Sequence, residues 1–136
     1  MIPAREKYYR GLFSVAATYD ILLGIIFTFC PTQAFSALGI KDKLPAFGGY
    51  VTLLGAFVLV IGVAYVLIAR GDLRRNADLI FIGTVYKLAY STTAFYYWAV
   101  GELPHIAFAA MFGVVDAVFF ILMAECWLRV RRAGEG

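Results

Sequence analysis

The sequence is poor in charge and poor in the residue types that hold metals. Of its 136 residues only 15% are charged while 62% are hydrophobic, where a soluble domain is about a quarter charged and about half apolar. That balance excludes an ordinary soluble domain. With 17% aromatics and a net charge of +3 it also excludes a disordered chain, which needs low hydrophobicity and high charge. A single histidine and two cysteines, with no repeated acidic or Cys/His spacing, leave no metal set, because a metal site gathers about three or four N, S or O ligands. No cofactor, metal ligand or catalytic residue is assigned.

What the chain has instead is long apolar runs, and these read as an all-α integral membrane protein, a four-helix bundle in one domain over residues 1–136. The first run, Gly11 to Cys30, stops at Pro31, which cannot continue a helix without losing a hydrogen bond. The second, about Phe47 to Ala69, is closed by Arg70 and by Gly71 as a C-terminal cap. The third, about Leu79 to Val100, is introduced by Asn76 and Asp78 and ended by Gly101. The fourth, about Ile106 to Leu128, is entered through Pro104. Each holds about 20 to 23 residues, or about 30 to 35 Å at 1.5 Å per residue, the thickness of a hydrocarbon core.

Basic residues fix the orientation expected of these spans. Arg5, Lys7 and Arg10 precede the first, Arg70, Arg74 and Arg75 separate the second from the third, and Arg129, Arg131 and Arg132 follow the fourth. The opposite side has Lys41 and Lys43, and Lys87 lies within a span. The excess side faces the cytoplasm, so both termini are expected there, in the inner membrane of a cell. Lysine and arginine gathered at helix ends suit lipid headgroups rather than nucleic acid. The basic start followed by an apolar run imitates a signal peptide, but that run is longer than the about 7 to 15 residues of a signal core and reads as a membrane helix.

Between the first two spans, Phe35, Leu38 and Ile40 are spaced for a short helix closed at Gly39 and lying on the outer membrane surface. The last outer connection, Gly101 to His105, has room only for a tight hairpin. Tyr8, Tyr9 and Trp127 form an inner aromatic belt in this frame, and Tyr96, Tyr97 and Trp98 an outer one. Pro45 to Arg70 and Pro104 to Arg129 have the same separation, which suggests two helical hairpins of like orientation.

The chemistry rests on Asp20, Lys87 and Asp116, each well inside a span. A charge at a helix centre costs about 2.5 to 3.5 kcal/mol, while each Leu, Ile, Phe or Val returns about 0.3 to 0.6. Unpaired, the three would undo much of the gain of their helices, so they are expected to face inward with Lys87 between the carboxylates. Gly83, Thr84, Lys87, Tyr90, Ser91 and Ala94 fall on one face of the third span, small or polar as a buried network requires. Ala17, Asp20 and Gly24, and Ala109, Gly113 and Asp116, make comparable faces on the first and fourth. Two carboxylates and one ammonium leave a net negative charge, so one carboxylate is expected to hold a proton. Tyr19, Tyr86 and Tyr90 supply hydroxyls and walls to such a ligand or proton network. The same trio read structurally is a salt bridge that selects which helices pack together.

On the second span Gly48, Gly55 and Gly62, followed by Ala69, recur every seventh residue and line a narrow stripe that lets a helix approach closely. That stripe serves either packing within the bundle or a homodimer seam. His105 reads as an interfacial residue, and Glu125 as the partner of Arg129 one turn on. Cys30 and Cys126 end up a membrane thickness apart and cannot bond within one chain.

Pro31 with Phe35, Leu38 and Gly39, the stretch Arg70 to Leu79, Tyr86-Lys87-Leu88, and Gly113 with Asp116 and Phe119 together resemble the small DoxX-like four-helix membrane proteins of bacteria. The resemblance implies a cytoplasmic-membrane bundle, in a group associated with redox or sulfur metabolism. From the residues themselves come two readings: a small binding or transport-type membrane protein built on the charged network, with transport favouring a homo-oligomer, or an accessory subunit of a larger membrane complex. Nothing resembling a nucleophile and base argues for an enzyme.

Overall fold

The computed structural model describes residues 3–135, all of whose regular structure is helical. Helix α1 (Pro3–Phe29) is followed by the short α2 (Pro31–Ala37) and a 3₁₀ turn at Lys41–Lys43, then by α3 (Gly49–Arg70) and α4 (Ala77–Ala99). The last helix is continuous but not uniform: α5 (Ile106–Phe108) passes into a π-helical segment (Ala109–Val115) and on into α6 (Asp116–Glu135). Three stretches, Ala4–Phe29, Gly49–Arg70 and Ile106–Gly134, are long and apolar enough to cross a membrane. Helix α4 matches α3 in length but falls short of that hydropathy, because Lys87, Thr84, Ser91 and a run of tyrosines lower its mean.

The helices form a ring in which neighbours run antiparallel. Gly62 of α3 meets Ile21 of α1, and Gly55 meets Thr28, so the two helices run past each other in opposite directions. Phe81 meets Trp127, and Gly113 meets Phe95, which sets α4 against the last helix in the same way. Glu125 accepts from Arg5 and Tyr9 at one end of α1, while Phe27 stacks with Phe108 and Phe112 at the other. Both termini of the described chain therefore lie at one end of the bundle, the terminal end, with α2 and the Gly101–His105 turn at the far end.

Small residues decide how close α1 and α3 come. A Cβ on Gly24 would fall 2.7 Å from the backbone nitrogen of Leu59, and one on Gly55 would fall 2.5 Å from that of Thr28. Gly55 and Gly62 of the glycine stripe are thus spent on packing against α1. Gly48 does not belong to it: it is the exposed N-cap of α3, with no atom within 4 Å of where its Cβ would be. Gly62 meets Ile21 and Gly55 meets Thr28, so one heptad earlier Gly48 lies past the end of α1 at Phe29 and has no α1 backbone to face. Gly24, assigned from the sequence to the charged face of α1, is spent on Leu59 instead.

Several ends differ in detail from the sequence reading. Helix α1 begins before Gly11, and Tyr9, expected in an aromatic belt, is wholly buried, whereas Tyr8 is exposed. Gly71 caps α3 in an extended conformation, and Arg10 supplies what a left-handed cap would have given, donating to the carbonyls of Ala69 at 2.9 Å and Gly71 at 2.6 Å. A cation at a helix C-terminus also opposes the helix dipole. Asn76 precedes α4 without a side-chain cap and turns its amide back to the Asp72 carbonyl. Gly39 and Gly101, with φ of +74° and +76°, do close their helices in the left-handed form, each followed by a bond from the next N–H across the turn, Ile40 to Phe35 and Glu102 to Tyr97. His105 is more than interfacial: its Nδ1 accepts the Ala107 N–H at 3.0 Å and caps the last helix.

Two apolar clusters fill the interior. One, toward the terminal end, is built on Tyr9, Phe13, Tyr65, Ile68, Ile80 and Met123. The other, toward the far end, is built on Phe27, Phe35, Val51, Phe108 and Phe112, with Phe35 of α2 closing it from above. The charged residues lie between them.

Candidate functional site

Lys87 stands near the middle of α4 and is 0% exposed. Its Nζ donates to Asp20 Oδ1 of α1 at 2.9 Å and to Asp116 Oδ1 of α6 at 3.0 Å. Both carboxylates are buried, at 1% and 2% exposure. One lysine thereby joins three helices and ties the α1–α3 pair to α4 and the last helix. The ammonium is also boxed by rings, with Phe119 at 5.0 Å, Tyr19 at 5.3 Å, and Tyr65 and Tyr86 at 5.6 Å each from their centroids. A desolvated cation over a ring face gains about 2 kcal/mol, so the rings replace part of the hydration that burial removes.

The tyrosines take different roles. Tyr19 donates its hydroxyl to the Met111 carbonyl at 2.8 Å, and Met111 lies in the π-helical segment, whose widened turn leaves carbonyls outside the usual pattern. The Tyr86 and Tyr90 rings meet at 4.6 Å, tilted by 43°, the first facing Lys87 and the second continuing to Phe112 at 5.8 Å. Tyr65, which sequence reasoning passed over, donates to the Gly83 carbonyl at 2.7 Å. Gly83 leaves the room for it, since a Cβ there would fall 2.6 Å from the Tyr65 ring. Phe119 was noted only as part of a motif. Helix α3 also carries Tyr50 and Phe57, so nothing in its sequence singles out Tyr65.

No protein-family model, curated protein or solved structure matches the chain. The remaining polar residues on the expected face of α4 look after themselves: Thr84 donates to the Ile80 carbonyl at 2.7 Å and Ser91 to that of Leu88 at 3.2 Å. At the charged centre Asp20 Oδ2 is a buried carboxylate oxygen with no hydrogen-bond partner; the other such atom among the described residues, Thr28 Oγ1, lies at the α1–α3 contact. Asp116 opens α6 where the π-helical segment ends, and such segments are frequent at functional sites. Gly55 and Gly62 stay outside this centre and serve helix packing, while Gly48 serves neither. Cys30 is exposed and Cys126 buried, both as free thiols, and no group of His, Cys, Asp or Glu among the described residues is arranged to hold a metal.

Proposed function

We propose that the chain is a four-span inner-membrane protein of the binding or transport type, with Asp20, Lys87 and Asp116 as a proton-sharing centre walled by Tyr19, Tyr65, Tyr86 and Phe119, and with Tyr90 stationed behind Tyr86. The observation that carries this is Asp20 Oδ2, buried and unpartnered beside a lysine that already serves two carboxylates. Two anions against one cation leave a charge in a dry interior, where an unpaired ion costs far more than an unpaired neutral group. A proton on one carboxylate removes it. The site then gains or loses one proton between two neighbouring acids without moving a helix.

Helix α4 serves as the fourth span because its polar groups, Thr84, Lys87 and Ser91, are inside the bundle, while Phe81, Ile82, Val85 and Leu88 are exposed. The nine basic residues near the terminal end place it in the cytoplasm, and α2 then lies at the outer surface. Kinship with DoxX-like proteins belongs to this reading and rests on the short motifs named above. Lys43→Cys in a Cys30→Ser background tests the orientation: it should react with an impermeant maleimide added outside intact cells, and reaction only after lysis inverts the topology.

Infrared spectroscopy in proteoliposomes tests the proton. A protonated-carboxyl band is expected at neutral pH and should vanish in both Asp20→Asn and Asp116→Asn, since each leaves one carboxylate to balance Lys87. No such band in the unsubstituted protein would remove the proton-sharing centre. The direct bonds at 2.9 and 3.0 Å favour a second reading, in which the trio is only a clamp inside an accessory subunit of a larger complex. Purification in mild detergent separates the two: a homo-oligomer supports the first, and co-purifying larger subunits support the second.

A further inference from the structure

At the far end of the bundle two cavities adjoin. One, of about 410 Å³, is walled by Phe35, Leu54, Tyr90, Thr93, Tyr97 and Phe112. It is apolar and lies between α3 and α4, where Leu54 and Tyr97 are exposed on its rim. The second, of about 530 Å³, is lined by Lys43, Gly101, Glu102, Leu103 and Pro104. Leu103 and Pro104 belong to both. The two meet at the Leu103–Pro104 turn, an apolar groove on one side and a cavity bordered by charge on the other.

Lys43 and Glu102 have opposite charges, line the same cavity, and form no ion pair with each other or with any described residue. We propose that the joined cavities bind an amine-bearing glycerophospholipid of the outer leaflet. One acyl chain occupies the space between α3 and α4, the phosphate meets Lys43, and the head-group ammonium meets Glu102. Each part of the site has a matching part of the ligand. An anionic lipid would give Lys43 its phosphate but bring no cation to Glu102, and a small polar solute would leave the apolar cavity unused. The membrane supplies such molecules laterally, and the cavity volume falls within the about 300 to 1,000 Å³ usual for small-molecule sites.

This assignment deepens the binding reading by naming a ligand class. It uses none of Asp20, Lys87 or Asp116, so the proton-sharing centre and the lipid site fail or stand separately. Native mass spectrometry from mild detergent tests it, with added phosphatidylethanolamine, phosphatidylglycerol or phosphatidylcholine of identical chains. Phosphatidylethanolamine adducts should exceed phosphatidylglycerol adducts. Lys43→Gln should lower phosphatidylethanolamine occupancy roughly fivefold, the effect of one basic contact at a membrane surface, and Glu102→Gln should erase the preference for it over phosphatidylglycerol. Thr93→Phe, which pushes a ring into the apolar cavity, should reduce adducts of all three. Unchanged occupancy in Lys43→Gln overturns the proposal, as does a Thr93→Phe result equal to that of Leu53→Phe on the exposed flank of α3. Lys43 and Glu102 are surface residues, so their variants report even where Thr93→Phe fails to fold.

Discussion

Replacing Gly55 by alanine probes the contact on which the α1–α3 pair depends. The new Cβ would stand 2.5 Å from the backbone nitrogen of Thr28 and 2.7 Å from the carbonyl carbon of Phe27. Carbon contacts settle near about 3.5 to 4.0 Å, and backbone atoms inside a helix cannot rotate aside, so the two helices must separate by about 1 Å. Overpacking of this kind costs about 1 to 3 kcal/mol. Lipid tails are as apolar as the side chains, so no hydrophobic gain draws the helices back together. Gly24→Ala should behave alike, meeting the Leu59 backbone at 2.7 Å, while Gly62→Ala should be milder because its first contact is the Ile21 side chain. Gly48→Ala should be neutral or stabilising by about 0.4 to 1 kcal/mol, since its φ of −61° suits alanine and nothing is near. Thermal unfolding in detergent, followed by circular dichroism, should rank Gly55 and Gly24 as most sensitive, then Gly62, then Gly48. A Gly55→Ala midpoint equal to that of Gly48→Ala would refute the close-contact argument.

Lys87→Met should destabilise by about 3 to 5 kcal/mol, because it leaves two buried carboxylates without their cation. Adding Asp20→Asn and Asp116→Asn should restore most of that loss, and the same denaturation assay reads both; additive losses would deny the coupling. Tyr19→Phe removes the donor to Met111 while keeping the ring over Lys87, so a loss of about 1 to 3 kcal/mol is expected, and hydrogen exchange should quicken at Ala109–Val115 first. Asp72 accepts the Arg75 N–H at 3.0 Å, and that bond holds its carboxyl below the usual range. Its contribution is complete above the ordinary carboxylate value and is lost as pH falls through the lower folded one, so Asp72→Asn should flatten stability against pH on the acid side.

Much of the molecule was legible in the chain because the relevant physics is local or additive. Apolar run length set the helices, Pro31, Gly39 and Gly101 marked their ends, and the insertion cost of Lys87 demanded acidic partners, of which only Asp20 and Asp116 lay deep enough. Other features depend on what a neighbouring helix presents, and no single-helix pattern encodes that. The stripe of Gly48, Gly55 and Gly62 repeats evenly, yet only the crossing of α1 over α3 decides which glycines are covered. Tyr65 and Phe119 reach the lysine from helices far apart in sequence. The π-helical segment before Asp116, whose Met111 carbonyl accepts from Tyr19 and whose Gly113 lies against Phe95, has no compositional mark. Apolar length and buried charge cost were enough to say what must lie inside; which groups meet there was left to the way the helices cross.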